Sequence, residues 1–389
     1  MSKLDENRTV LALNCGSSSL KFGLFRVDDM VSERLIDGEV EAIGTPKARF
    51  SASVKGRARM SDAGVIADHT EAARRVFALL AEQQTPAPSA VGHRIVHGGP
   101  TVRRHCVIDA QVLAALEAAR VFAPLHTPAA LAVVRIAQAH FTVQLHIACL
   151  DTAFHYRLPD VARRLPIAAA LQVNGVERYG FHGLSCESIL RQLGETRPDR
   201  LVIAHLGSGS SVTAVKAGRS IDTSMGLTPS GGVMMATRSG DLDPGLLIYL
   251  IREHGLDAAR LELMIDRQAG MAGVSDLTGD MRQLRAADQN PDARLAVQMF
   301  VYSVRKQIAA MTGALEGLDL LVFTGGIGEH DAQTRSEVCA GLSWLGIESV
   351  TTQGRTGGHP HGNGPRLQVL PAKEEEQIAR HAWAMIAPT

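Results

Sequence analysis

Two segments of the chain share one layout, which consists of an apolar strand, a turn of glycine and serine, and a second strand with alternating apolar residues. The first segment covers residues 10–25, and the second begins at Leu201. Gly16 of the first turn aligns with Gly207 of the second, which lies about half of the 389-residue chain away. Because similar elements half a chain apart indicate an internal duplication, we expect two related domains.

The rest of the chain alternates between helix and strand patterns. Apolar residues recur at helical spacing over 71–83, 110–120 and 294–316. An apolar stretch over 90–99 ends in a glycine turn and predicts a strand, and 318–330 predicts a buried strand that runs into a third glycine loop. Strands that alternate with helices are typical of the α/β class, which we therefore predict.

The three glycine loops predict a nucleotide-binding site. Successive backbone N–H groups in such turns form concave surfaces that bind anions, and small residues let a phosphate approach the backbone. One loop alone is most often a hairpin turn, but three follow apolar strands here, and Lys21 lies beside the first. The chain has no G-x-x-x-x-G-K-[ST] motif, and Asp331 stands where a G-x-G-x-x-G fingerprint needs its last glycine. We therefore expect hairpins, and neither a P-loop nor a Rossmann site, to hold the phosphates.

Composition narrows the class of protein. The chain has 40 basic and 40 acidic residues and no formal net charge, which argues against binders of nucleic acid and against polybasic membrane binders. Five cysteines without a C-x-x-C spacing favour neither a disulfide framework nor a structural zinc site. The first ten residues, MSKLDENRTV, are mostly polar, so we expect no secretory leader, and the sequence has no apolar run of membrane-spanning length. We expect a cytoplasmic enzyme that acts on small molecules, with an exposed loop over 352–366.

Two arginines and one histidine stand in contexts that favour chemistry. Arg94 in GHRIVHGG and Arg238 in MMATRSGDLDPG lie among glycine and small residues. The arginine guanidinium can donate two parallel hydrogen bonds to the oxygens of a carboxylate or phosphoryl group, and it stays charged at any physiological pH. His182 in YGFHG stands between an aromatic residue and a glycine. The Asp151/His155 pair has the spacing of metal ligands on a helix, but no H-E-x-x-H cluster supports zinc, so structural histidines are expected elsewhere.

Ten motifs follow one another between residue 10 and about residue 380. They are LNCGSSSLKFGLF, VGHRIVHGG, APLHTPAAL, DTAFH, YGFHGLS, HLGSGSSVTAVKAGRSIDTSMGLTP, MMATRSGDLDP, DMR, FTGGIGEH and VLPAKEEE. In these motifs and their order, the chain resembles the acetate kinase family, which includes acetate and propionate kinases and belongs to a superfamily of sugar kinases, chaperone ATPases and actin. The resemblance implies two actin-like ATPase domains of duplicated origin, with the active site in the cleft between them. We place the first domain at 1–152 plus 376–389 and the second at 153–375.

The resemblance implies a direct, in-line phosphoryl transfer from ATP to acetate that gives acetyl phosphate and ADP. It implies Mg²⁺, or Mn²⁺ in its place, as the metal, a homodimer, and a place in acetyl-CoA biosynthesis. Two alternatives stay open, namely a propionate or butyrate kinase and a non-carboxylate ATPase module of the same superfamily. A sugar or glycerol kinase would need a carboxylate base near a hydroxyl acceptor, whereas the surroundings of Arg94 favour a carboxylate substrate.

The family's site residues carry over to this sequence position by position. The catalytic positions are Asp151, His182 and Arg238. The substrate positions are Arg94 for the carboxylate and Val96, Leu125, Phe181 and Pro229 for the small alkyl group. The nucleotide positions are Lys21, His205, Leu206, Gly207, Ser208, Gly209, Asp280, Met281, Arg282, Gly325, Gly326, Ile327, Gly328 and Glu329. The metal positions are Asn14 and Glu374.

Elementary chemistry changes one of these roles. Phosphoryl transfer needs positioned reactants and charge stabilisation on the equatorial oxygens, which Arg238 and His182 can supply. A carboxylate acceptor is already ionised at neutral pH, so it needs no general base. We therefore expect Asp151 to organise metal-bound water or the guanidinium groups.

The sequence departs from the common family pattern at several positions. Ser208 stands in place of an asparagine in the second phosphate loop, and Thr127 replaces the asparagine of APLHNP. Leu184 and Cys186 replace a threonine and a histidine after YGFHG, and 230–232 is Ser-Gly-Gly where larger residues are frequent. These departures leave metal, nucleotide and acyl-chain preference open, since none removes a charge assigned to chemistry.

Overall fold

The computed structural model describes residues 8–28, 32–55, 57, 59–347 and 364–387. Most of the loop predicted over 352–366 lies outside these residues. The chain divides into two compact units. Unit 1 contains residues 1–156, 183–188 and 373–389, and unit 2 contains 157–182 and 189–372. The units differ from the predicted division mainly in 183–188 and in the start of the last segment, and the predicted domains stay a prediction.

The described residues of unit 1 form an eight-stranded sheet with helices. Its strands are β1 (Thr9–Cys15), β2 (Leu20–Val27), β3 (Ser32–Glu41), β4 (Arg49–Val54), β5 (Met60–Ala63), β6 (Ala90–Ile95), β7 (Cys106–Val107) and β8 (Leu145–Leu150). Its helices are α1 (His69–Glu82), α2 (Ala110–Ala118) and α3 (Thr127–His140). Two further helices are α4 (Asp160–Arg163), which lies in unit 2, and α5 (Gly183–Leu193), which starts in unit 1 and continues into unit 2.

The described residues of unit 2 form a five-stranded sheet. Its strands are β9 (Arg200–Leu206), β10 (Ser210–Lys216), β11 (Arg219–Thr223), β12 (Leu320–Thr324) and β13 (Arg366–Val369). Its other helices are α6 (Pro244–His254), α7 (Ala258–Arg267), α8 (Gly270–Ser275), α9 (Met281–Ala286), α10 (Pro291–Ala314), α11 (Gly325–His330) and α12 (Ala332–Ala340). The last helix of the chain, α13 (Glu374–Ile386), returns to unit 1.

Both sheets contain the same five-strand pattern. In unit 1 the order β3-β2-β1-β6-β8 combines two antiparallel pairings with two parallel ones. In unit 2 the order β11-β10-β9-β12-β13 has the same directions. The two glycine-turn hairpins occupy equivalent places in these patterns. The fold therefore confirms the α/β prediction, and the repeat agrees with a duplicated origin.

The central strands are apolar because helices cover them. Every residue of β1 is buried, as is typical of parallel strands covered on both faces. The helix α13 packs on β1 and β6 through Ile378, Ala379 and Ala382, all of which are fully buried. In unit 2 the long helix α10 packs on β9 and β10 through its buried apolar residues. The predicted helices over 71–83, 110–120 and 294–316 correspond to α1, α2 and α10.

The third glycine element differs from the prediction. We expected a glycine loop after the strand over 318–324, but the glycines begin the helix α11 directly after β12. Gly325 makes the turn with a φ of 77°, and its N–H donates to the Glu329 carboxylate at 3.0 Å. One left-handed residue is enough to convert a strand into a helix, so no loop is needed. Over the described part of the chain, no helix has the length and apolar character needed to cross a membrane.

Candidate active site

Three charged or polar side chains meet at one edge of the unit 1 sheet. Asn14, Arg94 and Asp151 lie at or directly after the carboxyl ends of β1, β6 and β8, which are parallel neighbours. Arg94 donates from Nε and Nη2 to Asp151 Oδ2 at 2.9 and 2.6 Å, and from Nη1 to Asn14 Oδ1 at 3.1 Å. The carboxyl ends of strands in open α/β sheets are where ligands bind, so this edge is the expected place for a site.

Asp151 is the most buried member of this cluster. Its side chain is fully buried, and its second oxygen, Oδ1, has no hydrogen-bond partner among the residues that the structure describes. Burial raises the pKa of this carboxyl group to about 6, although the Arg94 guanidinium lowers it and the Glu374 carboxylate raises it further. A buried carboxylate with one free oxygen and one oxygen on arginine is a candidate for orienting that arginine.

The start of α13 brings carboxylates to the same edge. Asn14 Nδ2 donates to Glu374 Oε2 at 2.9 Å and to Glu375 Oε1 at 2.7 Å. Burial opposes the charge on Lys21, but the carboxylates of Glu375 and Glu39 outweigh it and raise the pKa of its ammonium group. Lys21 faces Asn14 across the β1–β2 hairpin. Unit 1 therefore holds Lys21, Arg94, Asp151 and two glutamates in one connected group.

In unit 2, two predicted catalytic residues approach the second glycine hairpin. A Cβ on Gly209 would lie 3.3 Å from His182 Nε2 and 3.6 Å from Arg238 Nη1, so the glycine allows both side chains to come close. His182 has a left-handed backbone, with φ at 57°, and its Nδ1 is 2.9 Å from Ser211 Oγ. Its ring stacks on His205 with centroids 4.2 Å apart. Arg238 donates from Nη1 to the Pro229 carbonyl at 3.1 Å.

A cavity of about 800 Å³ in unit 2 brings the predicted nucleotide segments together. Residues from the second hairpin, from the D-M-R segment and from the start of α11 line it. The predicted residues among them are Gly207, Ser208, Asp280, Met281, Arg282, Gly326 and Ile327. A cavity of this size matches the 300–1,000 Å³ that is typical of small-molecule sites.

The same cavity has lining residues that the sequence did not indicate, namely Ala236, Gly279, Arg285, His330 and Asp331. Arg285 donates to Asp331 at 3.1 Å and to Glu337 at 2.9 Å. Its place one helical turn after Arg282 on α9 was a usable signal, because residues three apart share a helix face.

Other predicted nucleotide residues do not line this cavity. His205, Leu206, Gly209, Gly325, Gly328 and Glu329 lie in unit 2 beside the lining segments, and Lys21 lies in unit 1. The Glu329 carboxylate accepts the backbone N–H groups of Gly325 and Ala372 at 3.0 Å each. In this structure Glu329 therefore ties α11 to the segment that follows β13.

The four predicted apolar wall residues divide between the units. Val96 and Leu125 lie in unit 1, and Phe181 and Pro229 lie in unit 2. Val96 and Phe181 are buried, with 5% and 1% of their surface exposed. Their role as walls for the alkyl group stays a prediction.

Comparison with known proteins decides the family. The model of the acetokinase family matches residues 9–380 of the chain. The chain belongs to the acetokinase family. Members of this family are kinases that transfer a phosphoryl group to a carboxylate. The chain is 38% identical to the acetate kinase of Nitrobacter hamburgensis, over 97% of this chain and 96% of that protein. It is 40% identical to the acetate kinase of Thermosynechococcus vestitus, over 93% and 92% of the two chains.

Solved structures agree with this family. The acetate kinase of Porphyromonas gingivalis superposes with a TM-score of 0.83 at 32% identity, over 98% of this chain and all of that one. A propionate kinase from Francisella tularensis superposes with a TM-score of 0.86 at 32% identity, over 97% of this chain and all of that one. These similarities confirm the predicted acetate kinase family and its fold.

The turn before α11 generates a testable difference between two adjacent glycines. An alanine at Gly325 would need a left-handed backbone and would bring Cβ to 2.7 Å from the Leu206 carbonyl oxygen. At Gly326, an alanine Cβ would have no neighbouring atom within 4 Å among the described residues. We expect Gly325→Ala to lower the free energy of unfolding by about 1–3 kcal/mol and Gly326→Ala to change it by less than about 0.5 kcal/mol. Urea unfolding of both variants and of the wild type measures these free energies. Equal stabilities of the two variants would contradict the requirement for a glycine at position 325.

Proposed function

We propose that this protein is an acetate kinase, which transfers the γ-phosphoryl group of ATP to acetate and gives acetyl phosphate and ADP. The observation that carries the proposal is the unit 2 cavity, where three separate nucleotide segments converge. Family membership and relatives named acetate kinase support it. Acetate is preferred to propionate and butyrate in this proposal, although one methylene changes binding by only about 1–3 kcal/mol.

Arg94 binds the acceptor carboxylate in the proposed reaction. A guanidinium has five N–H donors, and Asp151 and Asn14 occupy three of those of Arg94. The two remaining donors, which have no partner in the described part of the chain, can form charge-assisted hydrogen bonds to acetate. Acetate is already ionised and needs no further activation as a nucleophile. Asp151 thus orients Arg94 and removes no proton from the substrate. Val96 and Leu125 of unit 1 remain predicted contacts of the methyl group, as do Phe181 and Pro229 of unit 2.

His182 and Arg238 stabilise the charge that spreads over the transferred phosphoryl oxygens. When the Ser211 hydroxyl donates to His182 Nδ1, the ring proton remains on Nε2, which is the nitrogen beside Gly209. That N–H can then donate to a phosphoryl oxygen, and Arg238 adds a permanent positive charge. The backbone N–H groups of the second hairpin bind the nucleotide phosphates.

The residues at the start of α13 fit a magnesium ion. Mg²⁺ prefers oxygen ligands, and the edge of unit 1 offers the carboxylates of Glu374 and Glu375 together with the unpartnered Oδ1 of Asp151. Asn14 contributes less than we expected, because its amide oxygen already accepts from Arg94. When bound, the ion neutralises charge on the nucleotide phosphates.

Substrate dependence tests the proposed activity. With Mg-ATP, we expect hydroxamate-trapped acyl phosphate to form fastest with acetate and more slowly with propionate and butyrate. Loss of ATP that does not depend on any carboxylate would instead indicate an ATPase module. Equal or faster trapping with propionate would assign the chain to the propionate kinases.

Arg238 offers the sharpest test of the transition-state role. We expect Arg238→Ala to lower kcat by a factor on the order of 10³, because arginines that stabilise this transition state contribute that much. The exposed arginine of β11 provides the control, and Arg219→Ala should leave kcat unchanged. Steady-state kinetics with acetate and Mg-ATP measure both variants. A loss below about tenfold for Arg238→Ala would contradict the assigned role.

We also propose that the protein is a cytoplasmic homodimer that serves acetyl-CoA biosynthesis. The helix α6 supports the dimer, because none of its residues is buried although its sequence is mostly apolar. Ile248 and Tyr249 are 47% and 53% exposed. Apolar faces of this kind are typical of surfaces that associate.

Charge on α6 should separate the protomers. We expect the double variant Ile248→Glu, Tyr249→Glu to sediment as a monomer where the wild type sediments as a dimer. Val143→Glu changes an isolated exposed valine of unit 1 and should leave the dimer intact. A monomeric wild type, or a variant that stays dimeric, would contradict this assignment.

A further inference from the structure

Two histidines and a glutamate converge in unit 1 away from the residues assigned above. His105 precedes β7, Glu187 lies in the second turn of α5, and His381 lies in the middle of α13. His381 Nε2 is 2.7 Å from Glu187 Oε2, and His105 Nε2 is 3.4 Å from Glu187 Oε1. The centroids of the His105 and His381 rings lie 3.9 Å apart. The catalytic roles proposed above do not use this cluster.

Hydrogen bonds connect the cluster to both sides of Asp151. The backbone N–H of Leu150 donates to His105 Nδ1 at 3.0 Å. The N–H of Gly183, the first residue of α5, donates to the Asp151 carbonyl at 2.8 Å. A Cβ on Gly183 would collide with that carbonyl oxygen, so the helix begins directly against Asp151. Glu187 follows Gly183 by about one helical turn and closes the connection between α5 and His105.

The charges in the cluster favour hydrogen bonds to an ionised carboxylate. Burial alone would raise the pKa of Glu187, but hydrogen bonds from His105 and His381 outweigh it and lower this pKa to about 2. Burial lowers the pKa of His105, although Glu187 partly offsets this. A neutral His105 that accepts at Nδ1 carries its proton on Nε2, which faces Glu187. Glu187 is therefore a fixed negative charge that binds two separate elements.

Two histidines and one carboxylate could also form a transition-metal site, but the tautomer of His105 does not suit metal binding. A histidine that binds a metal through one nitrogen donates the N–H of its other nitrogen to an acceptor. His105 has the opposite arrangement, because its Nδ1 accepts a backbone N–H and its Nε2 carries the proton. Metal binding would break the bond to Leu150, so the hydrogen-bonded arrangement is favoured.

We propose that Glu187 is a positioning residue for phosphoryl transfer, which joins the start of α5 and the helix α13 to the end of β8 through His105 and His381. In this way it holds Asp151 and Glu374 in place within unit 1. The proposal rests on the proposed function, since the roles of Asp151 and Glu374 are assigned there. The proposal predicts that loss of Glu187 weakens acetate and Mg²⁺ binding, to which unit 1 contributes, and leaves nucleotide binding unchanged.

The test compares Glu187→Gln with Glu187→Asp and the wild type. We expect Glu187→Gln to lower kcat about 10- to 100-fold and to raise both the KM for acetate and the Mg²⁺ concentration for half-maximal rate. The KM for ATP should stay unchanged, because the nucleotide cavity lies in unit 2. Glu187→Asp keeps the charge and should recover part of the loss. Glu195→Gln, which changes an exposed glutamate, is the matched control.

A second measurement separates this proposal from the proposed function. Hydrogen–deuterium exchange of Glu187→Gln should show faster exchange in peptides covering 145–151 and 183–190, with the rest of unit 1 unchanged. This readout needs no turnover, so it still tests the positioning role if the wild type forms no acyl phosphate. His381→Gln, which keeps a donor, and His381→Leu, which removes it, supply a milder pair if Glu187→Gln fails to fold. His381→Leu should then lower kcat and raise the KM for acetate while the KM for ATP stays unchanged, and His381→Gln should keep the wild-type values.

Three results would overturn the proposal. The first is a loss of kcat that matches a smaller folded fraction, with unchanged KM for acetate and unchanged Mg²⁺ dependence. The second is unaltered exchange around 150–151 and 183. The third is stoichiometric binding of Zn²⁺ by the wild type in calorimetry that disappears in Glu187→Gln, which would make the cluster a metal site.

Discussion

The buried ion pair between Arg94 and Asp151 is the interaction on which the site of unit 1 depends. It forms because β6 and β8 are adjacent parallel strands whose register places Arg94 beside Cys149, two residues before Asp151. Removing one partner of such a pair typically costs about 3–5 kcal/mol, because the other charge stays buried. The pair therefore imposes an orientation on Arg94 before any substrate binds. Asn14 extends the group to the glutamates of α13, so three strand ends and a helix start are linked.

The two units treat charge differently. Unit 1 concentrates paired side-chain charges at one sheet edge, whereas the lining of the unit 2 cavity combines glycines of the second hairpin and of α11 with charged side chains of α9 such as Arg282 and Arg285. In the proposed reaction, unit 1 handles a small carboxylate and unit 2 a large polyphosphate. Side-chain charges suit the first because arginine and carboxylate pair with defined geometry. Backbone N–H groups suit the second because many donors can face one anion without long side chains.

The sequence was informative about elements and families and less informative about assembly. Apolar spacing predicted β2, α1 and α10, because burial of one face dictates spacing along the chain. A continuous apolar run predicted β1, and the glycine and serine turns predicted both hairpins. The sequence missed that the third glycine element begins a helix, since a single left-handed residue at Gly325 leaves no periodic signal. It also missed Arg285 and His330 in the cavity, although each lies close in the chain to a predicted lining residue, Arg282 and Ile327 respectively. The cluster at Glu187 was missed because its partners, His105 and His381, lie far from it in the chain.

By itself, the sequence determined the α/β class, the repeated hairpins, the acetokinase family and the kinds of residue that the chemistry needs. These follow from the spacing of residues within each motif and from the order of the motifs, both of which can be read directly along the chain. Only the tertiary structure decided that Arg94 donates hydrogen bonds to Asp151 and that Asn14 contacts both an arginine and two glutamates. It also decided that the Glu329 carboxylate accepts hydrogen bonds from backbone N–H groups. Those facts depend on strand order and register, which bring together residues such as Asn14 and Glu374 that are 360 positions apart. No local pattern carries that information, because the pairing of distant strands is a property of the whole packed unit.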